Sequence, residues 1–386
     1  MNFADYLTLF AMVAIWALMG INVFLSVGGF LYYYRMERRD PKIPLEEYPF
    51  VSVMVPAHNE SAVIQRTVRA LLRFDYPQDR YEIIVINDGS KDSTGEIGDR
   101  YAAQYPEIVK VIHQENGGHG AGINAGLKAA TGKYFKVVDS DDEVSADFVN
   151  FLDRLELCDS QGGVDLFVTN YYYVHTDGIG DRSINYSNVL PEGRIFTWGD
   201  TKRFQIHQML TIHSSTFRTE VMRMCGGELP RKVFYEDNLM VCRTLPYVER
   251  MFYMNTDLYR YTIGREGQSV QDDVSRRRYT HHLLIAESCF KSVDLDRLSC
   301  RQHQQYMKHE LFMLFGIATI FTRLNKSAEA DAALEVMWRN CEAHNAKWAK
   351  HFRKGTPLGV INIAGKAGQN LTSGVYKFAN KVVRFN

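Results

Sequence analysis

Three acidic residues lie within the four positions Asp139-Ser140-Asp141-Asp142, directly after an apolar run. Carboxylates this close repel one another unless a cation or solvent compensates their charge. A hard divalent ion such as Mg²⁺ or Mn²⁺ does so through one or two carboxylates together with the phosphates of a substrate. The alternative is a solvated acidic turn that caps the following helix. The position of the segment in the predicted fold decides between the two interpretations.

Two further segments have the composition of ligand-binding loops. In Asn87-Asp88-Gly89-Ser90 the glycine permits a tight turn and the Asp88 carboxylate can accept hydrogen bonds from a base or a ribose, although an ordinary turn has the same composition. Glycines between Gly117 and Gly126 allow the backbone to approach a ligand, and a helix N-terminus there could face phosphate oxygens. The P-loop pattern GxxxxGK[ST] is absent, and GxGxxG does not follow the first strand, which argues against P-loop and dinucleotide sites.

These segments are positioned by a regular alternation of strands and helices. Short apolar runs predict strands at 50–55, 82–86, 108–112, 134–138 and 165–169, with helices at 60–73, 93–105, 120–130 and 145–157. The alternation predicts a parallel, doubly wound sheet that is covered on both faces. Ligands of such sheets bind at the carboxyl ends of the strands. Each segment above follows a predicted strand, as does Pro56-Ala57-His58-Asn59-Glu60, so one crevice can collect them all.

In order and spacing, four segments resemble the family 2 glycosyltransferases of the GT-A fold: VSVMVPAHNE, EIIVINDGSKDST, ENGGHGAGINAGLKAATGKY and FKVVDSDDE. The resemblance covers residues 50–270. It implies an α/β fold with a GT-A type, doubly wound, mostly parallel sheet and flanking helices. It also implies transfer of a sugar from a nucleotide-sugar donor, with a UDP-sugar expected, to a hydroxyl of a lipid-linked or polysaccharide acceptor.

The resemblance assigns roles to the residues that match the family's motifs. Donor binding is assigned to Pro56, His58, Glu60, Asp88, Gly89, His119, Gly120, Asn124 and Asp139. Asp139 and Asp141 match the DxD pair, with Asp139 toward the ribose and both expected to hold Mg²⁺ or Mn²⁺. Tyr235-Glu236-Asp237-Asn238 matches the ED element, which makes Asp237 the expected catalytic base. Glu236, Arg265 and Gln268 are assigned to the diphosphate or acceptor side.

Two positions depart from the family's pattern. His58 stands where a tyrosine is usual, so less area is available for stacking on a base. Ile123 stands where an arginine usually precedes Asn124, and we expect the metal, His119 or Arg265 to replace that charge. The QxxRW element of processive synthases is absent, so we expect transfer of one sugar or a few.

The resemblance implies an inverting single displacement. Asp237 would take the proton of the attacking hydroxyl while a metal neutralises charge on the nucleoside diphosphate. Without the upstream motifs, Glu236-Asp237 would suit an ordinary helix N-terminus equally well. A sugar nucleotidyltransferase would need a glycine-rich basic loop where this chain has PAHNE. A non-catalytic sugar-binding component of a membrane glycan assembly would be favoured by loss of the DxD pair or of Asp237, and both are present.

The N-terminal segment predicts a membrane anchor. No charged residue occurs from Tyr6 to Tyr34, and a spanning helix needs roughly 20 apolar residues. We predict a transmembrane and juxtamembrane segment at 1–38 and a single-pass protein. Basic residues follow the run and none precede it, so the positive-inside rule places the catalytic domain in the cytoplasm. A signal peptide would have a basic start and a shorter apolar core.

The resemblance implies a glycosyltransferase domain at 49–270, and the residue pattern of the remaining chain predicts a helical extension at 271–342 and a basic amphipathic tail at 343–386. No acidic residue follows Glu342, and the tail's cations and aromatic residues suit a helix on an anionic membrane, although the tail could also pack on the domain. The 45 Lys+Arg and 45 Asp+Glu of the whole chain balance, so its charge suggests no nucleic-acid partner. Six cysteines without zinc spacing indicate reduced thiols.

Overall fold

The computed structural model describes residues 3–39, 48–73, 76–145, 148–176, 178, 180–264, 268, 271–363 and 365–383. The chain forms two compact units, Met1–Glu46 and Glu47–Asn386. In the first unit, helix α1 spans Phe3–Arg39. Its part Phe3–Leu31 is long and apolar enough to cross a membrane, which agrees with the predicted anchor, although a signal sequence near the N-terminus can meet the same criterion. Among the described residues it is the single helix with these properties.

The second unit begins with alternating strands and helices, as predicted. In chain order these are β1 (Val51–Ala57), α2 (Ile64–Leu71), β2 (Tyr81–Asp88), α3 (Thr94–Gln104), β3 (Val109–Gln114), α4 (His119–Ala129) and β4 (Tyr134–Val137). β1 pairs in parallel with both β2 and β4, and β2 pairs in parallel with β3. Every residue of β1, β2 and β4 is buried, because helices cover both faces of a parallel sheet.

The rest of the domain completes one sheet. Its elements are β5 (Glu143–Val144), α5 (Phe148–Ser160), β6 (Leu166–His175), β7 (Arg182–Ile184), β8 (Ile195–Phe196), β9 (Ser215–Arg218), α6 (Thr219–Met224), α7 (Glu236–Thr244) and β10 (Met251–Ile263). The strand order is β3-β2-β1-β4-β9-β6-β10-β5, with β7 beside β6 and β8 beside β10.

The long strands of this sheet share one direction. Strand β9 is antiparallel to both β4 and β6, and β10 is parallel to β6. Strands β6 and β10 therefore run the same way as β1 to β4, and the prediction of a mostly parallel GT-A type sheet is confirmed. The antiparallel strands β5, β7, β8 and β9 have two to four residues each, too few for a periodicity to reveal.

Helices make up the C-terminal region, as predicted: α8 (Asp272–Arg277), α9 (Tyr279–Ser292), α10 (Arg301–Arg323), α11 (Ala328–Lys354), α12 (Leu358–Ile361) and α13 (Gly365–Val383). The predicted boundary between residues 342 and 343 falls inside α11, next to a kink at Asn345. Trp348 and Phe352, two of the tail's aromatic residues that composition suited to a membrane surface, are only 8% and 1% exposed. This part of the tail therefore packs on the protein, because its aromatic side chains complete the core of the helical region.

Helix α4 lies unusually close to the sheet, which fixes the place of its first turn. A Cβ atom on Gly126 would lie 2.5 Å from Cγ of Met54 in β1, so the contact requires glycine. At the start of the helix, Gly118 has φ of 83°, in the left-handed region that glycine adopts without strain. The small residues of α4 thus place His119 at the carboxyl edge of the sheet.

Candidate active site

The second and third predicted loops are joined by the Asp88 carboxylate at the end of β2. Its oxygens accept hydrogen bonds from the backbone N–H of Gly117 at 2.9 Å, from that of Gly118 at 2.8 Å and from Nε2 of Gln114 at 2.6 Å. Gly89 follows with φ of +68°, and a Cβ there would lie 2.6 Å from the backbone nitrogen of Asn116. Asp88 therefore anchors the glycine-rich loop. Its contact with a base, implied by the resemblance, stays a prediction.

The first loop is tied to the second through His58. Nδ1 of His58 donates to the Asp88 carbonyl oxygen at 2.7 Å, and the Asn116 amide donates to Nε2 at 3.1 Å. The backbone N–H of Glu60 donates to Oγ1 of Thr94 at 2.8 Å, so residue 60 belongs to a turn and α2 starts later than predicted. Pro56 lies within β1 and His58 is exposed, which leaves the imidazole face free to meet a ligand.

His119 joins the DxD acids to the ED element. Its Nδ1 lies 2.7 Å from Oε1 of Glu236, and its Nε2 lies 3.0 Å from Oδ1 of Asp139. Burial opposes a charge on this ring. The hydrogen bonds and negative charges of Asp139 and Glu236 nevertheless outweigh it and hold the pKa of His119 well above its ordinary value. The residues that the sequence placed in two separate motifs therefore meet at one imidazole.

The acidic segment after β4 is held by the end of β10. The hydroxyl of Tyr259 accepts from the Asp139 backbone N–H at 3.0 Å and donates to Oδ2 of Asp142 at 2.7 Å. Oδ1 of Asp142 accepts from the backbone N–H of Thr262 at 2.9 Å. Burial and the nearby negative charges of Asp139 and Asp141 raise the pKa of Asp142 well above its ordinary value. Burial also opposes charge on Asp139, but the hydrogen bond and positive charge of His119 lower its pKa.

Asp139, Asp142 and His213 form a group whose potential ligand atoms all lie within 4.8 Å of one another. Nδ1 of His213 is buried and has no hydrogen-bond partner within the part of the chain that the structure describes. Burial lowers the pKa of His213 to about 4, so its ring is neutral and can offer a lone pair. Two carboxylates and a neutral imidazole fit a divalent cation. Our prediction named Asp139 and Asp141, whereas this group contains Asp139 with Asp142, and Asp141 lies beside it, half-buried.

Sequence reasoning missed His213 because a lone histidine far from the acidic motif has no diagnostic spacing. Its ring centre lies 4.8 Å from that of Tyr259 and 4.4 Å from that of Tyr261. The two tyrosines are two positions apart in β10, so their side chains lie on the same face of the strand and hold the imidazole beside the acids. Only the pairing of distant strands brings these residues together.

The ED element begins with a strained residue. Tyr235 has φ of 70° and ψ of 15°, a left-handed conformation that is rare for a bulky side chain. Its hydroxyl lies 3.1 Å from Oγ of Ser275, and its ring stacks on His282 with the centroids 3.8 Å apart. These contacts fix the backbone turn that directs Glu236 and Asp237 into the crevice. Strain of this kind is concentrated at functional sites.

Asp237 has the protonation behaviour of a base. It is half-buried, and Oδ1 accepts from the amide of Asn238 at 3.1 Å. Burial raises the pKa of Asp237 to about 6, with a further increase from the charge of Glu236 and an opposing effect of His119. A base with a pKa near the working pH is efficient in proton transfer. The predicted role of Asp237 is therefore compatible with its surroundings.

The remaining predicted residues have structural contacts. Asn124 donates to the Leu229 carbonyl at 3.0 Å and accepts from the Leu229 N–H at 2.9 Å, so it holds the segment before the ED element. Gln268 bonds the Thr262 carbonyl at 2.7 Å and the Gly264 N–H at 2.8 Å, which closes the turn after β10. Arg265 lies outside the described residues.

The side chain of Ile123 faces the core. The cation that lies near the glycine-rich loop is Arg231, which we did not predict. Ile123 is buried, so its side chain does not enter the crevice. Nη2 of Arg231 lies 2.9 Å from the position that a Cβ on Gly117 would occupy. The guanidinium therefore stands directly against the glycine-rich loop. Arg231 lies in a segment without a motif, so no residue pattern indicated its position.

Comparison with known proteins agrees with this geometry. Residues 52–218 match the family described as Glycosyl transferase family 2. A putative glycosyltransferase, EpsH of Bacillus subtilis, is 30% identical over 231 residues, which are 56% of this chain and 62% of the relative. A probable glycosyltransferase of the same organism, YdaM, is 41% identical over 132 residues, or 33% of this chain and 31% of the relative. The chain thus spans less than two thirds of the length of either relative.

Two solved structures share the fold. S. aureus TarS 1–349 in complex with UDP-GlcNAc has a TM-score of 0.61 at 19% identity, and the match covers 85% of this chain and 92% of TarS 1–349. The mannosyltransferase PcManGT from Pyrobaculum calidifontis in complex with GDP-Man and Mn²⁺ has a TM-score of 0.51 at 18% identity, covering 94% of this chain and 99% of that one. The match over residues 52–218 shows that this part of the chain belongs to the family 2 glycosyltransferases.

Proposed function

We propose that this chain transfers a sugar from a nucleotide-sugar donor to a hydroxyl of a lipid-linked or polysaccharide acceptor. The observation that carries the proposal is the junction of Asp139, His119 and Glu236 at the carboxyl edge of the sheet, with Asp237 next in the chain. This junction joins the motif implied for the donor to the motif implied for the base. Ligands of open α/β sheets bind at this edge.

The proposed reaction is an inverting displacement at the anomeric carbon. Asp237 accepts the proton of the acceptor hydroxyl as the oxygen attacks, and the nucleoside diphosphate leaves from the opposite side. The pKa of Asp237, about 6, allows the ionised base to exist at neutral pH. The tethered loops around Asp88 and His58 would hold the donor in line with the acceptor, and such positioning supplies a large share of the rate enhancement.

We propose Mg²⁺ or Mn²⁺ as the cofactor. When bound, the cation neutralises negative charge on the leaving diphosphate. Asp139, Asp142 and His213 would hold it, and Asp141 remains a candidate as the second acid of the DxD pair. The GDP-Man and Mn²⁺ complex of the mannosyltransferase supports a divalent metal, and the UDP-GlcNAc complex of TarS supports our expectation of a UDP-sugar donor.

We further propose that α1 anchors the enzyme in a membrane with its catalytic domain on the cytoplasmic side. The apolar span Phe3–Leu31 supports the anchor, and the arginines that follow it support the orientation. In α13, exposed Leu371 and Val375 and the exposed lysines Lys366 and Lys377 are suited to a second contact with an anionic surface. Protease digestion of right-side-out and inverted vesicles would test the orientation, since only inverted vesicles should expose the domain.

The decisive experiment is nucleoside diphosphate release from a panel of UDP- and GDP-sugars by the full chain in membranes, with Mn²⁺ or Mg²⁺ and then with chelator. Asp237→Asn is the test variant, and Asp99→Asn, which alters an exposed acid on helix α3, is the matched control. We expect one donor to support release that needs the metal and disappears only in Asp237→Asn. Release from no donor, with UDP and GDP binding retained in calorimetry, would instead favour a non-catalytic sugar-nucleotide-binding component.

A further inference from the structure

We propose that His119 is a positioning residue whose ring ties the base-bearing helix α7 to the donor-side acid Asp139. This inference rests on the proposed function, since it assigns how the two halves of that site are held in register. Glu236, the residue before the proposed base, is the contact point on α7. The partners of His119 are 20 and 117 positions away in the chain, so the ring connects segments that no local structure joins.

Two hydrogen bonds hold the His119 ring between two acids. Both partners of the ring are carboxylate oxygens, at 2.7 Å from Nδ1 and 3.0 Å from Nε2. The two ring nitrogens are distinct hydrogen-bonding groups, so one imidazole can bind two segments at once. Glu236 is only 2% exposed and therefore depends on this partner.

Helix α4 is a suitable fixed platform for this role. Its packing against Met54 and the hydrogen bonds of Asp88 to the preceding loop hold its first turn in place. A Cβ atom on Gly120 would lie 2.7 Å from Cγ of Glu236, so α4 and the ED element are in direct contact. One turn later, the Asn124 side chain makes two hydrogen bonds to the backbone of Leu229. The same face of α4 thus docks the whole segment that leads into α7.

The ED element needs such a tether for two reasons. Its entry residue, Tyr235, is in a left-handed conformation whose cost other contacts must offset. Glu236, Asp237 and Asp139 also bring like charges into one crevice, and these charges favour separation. His119 is the side chain that contacts two of these segments. Without it, the first turn of α7 should move away from the acidic segment after β4.

The test is a double-mutant cycle on the full chain with His119→Ala, Glu236→Gln and the combined variant. We expect each single variant to lower kcat by about 10- to 100-fold while KM for the donor changes less, because displacement of a reacting group by ~1 Å costs about that much. The combined variant should be within about threefold of His119→Ala, since both changes break one connection. The proposal is overturned if the kcat reductions of the two single variants multiply in the combined variant, or if kcat is unchanged in His119→Ala.

The control is His113→Ala, which removes an imidazole that bridges Asn87 and Asp99 outside this junction. Hydrogen exchange of the 230–244 amides gives a readout that needs no turnover. Exchange should quicken at the start of α7 in His119→Ala and stay unchanged in His113→Ala, and equal exchange in wild type and His119→Ala would overturn the tether. If wild type releases nucleotide from no donor, the proposed function fails while exchange still decides the role of His119. Should His119→Ala fail to fold, His119→Gln retains one donor and should give an intermediate change.

Discussion

The pH dependence of turnover provides the sharpest test of Asp237 as the base. Burial, followed by the charge of Glu236, raises the pKa of Asp237 from 3.8 to about 6. A base acts in its ionised form, so the rate should be maximal above pH 6 and fall as the pH drops through that value. At pH 5 the ionised fraction is about one tenth, and kcat/KM, which reports the free enzyme, should be about tenfold below its value at pH 8. An ordinary carboxylate would keep full activity at pH 5.

The assay measures initial rates of diphosphate release over a range of donor concentrations from pH 4.5 to 8.5 at constant ionic strength, so that kcat/KM and kcat are both obtained. Asp237→Asn should lower kcat at pH 8 by about 10²- to 10⁴-fold, the usual contribution of a general base. The residual activity of this variant should not decrease near pH 6. Its affinity for UDP should equal that of the wild type. Asp99→Asn should keep the full profile. The assignment is refuted if the wild-type rate falls only below pH 4.5, or if the fall in rate near pH 6 persists in Asp237→Asn.

Three further predictions concern neighbouring features. Gly120→Ala should lose activity because its Cβ would lie 2.7 Å from Glu236 Cγ, whereas Gly122→Ala, whose nearest contact is 3.6 Å, should stay active; equal rates would contradict this packing. Burial raises the pKa of Glu310 from 4.5 to about 8, so the folded state binds an extra proton between those values and loses stability as pH rises. Glu310→Gln should therefore raise the free energy of unfolding by about 2–4 kcal/mol at pH 8 and by little at pH 5, measured by urea denaturation. Removal of residues 1–46 should release the protein from the membrane fraction, and retention of most of it there would assign attachment to another segment.

Residue patterns alone were sufficient to predict the first half of the fold and the loops that form the site. Strands β1 to β4 lie within two residues of their predicted bounds, because each is a short apolar run bordered by turn residues. That placement was sufficient to set the motifs at one edge of the sheet, since parallel strands share a direction. The ED element was identified from its resemblance, because its residue types alone also fit an ordinary helix start.

How these loops contact one another depends on tertiary packing. The bridge from His119 to Glu236 spans 117 positions, and the stacking of His213 on Tyr261 depends on strand pairing. The anchoring of the glycine-rich loop by Asp88 is likewise a contact between two strand ends. Local sequence encodes the period of an element, whereas these contacts depend on which elements become neighbours after folding. The burial of Trp348 was missed for the same reason, because composition shows an amphipathic segment and only packing shows what covers it.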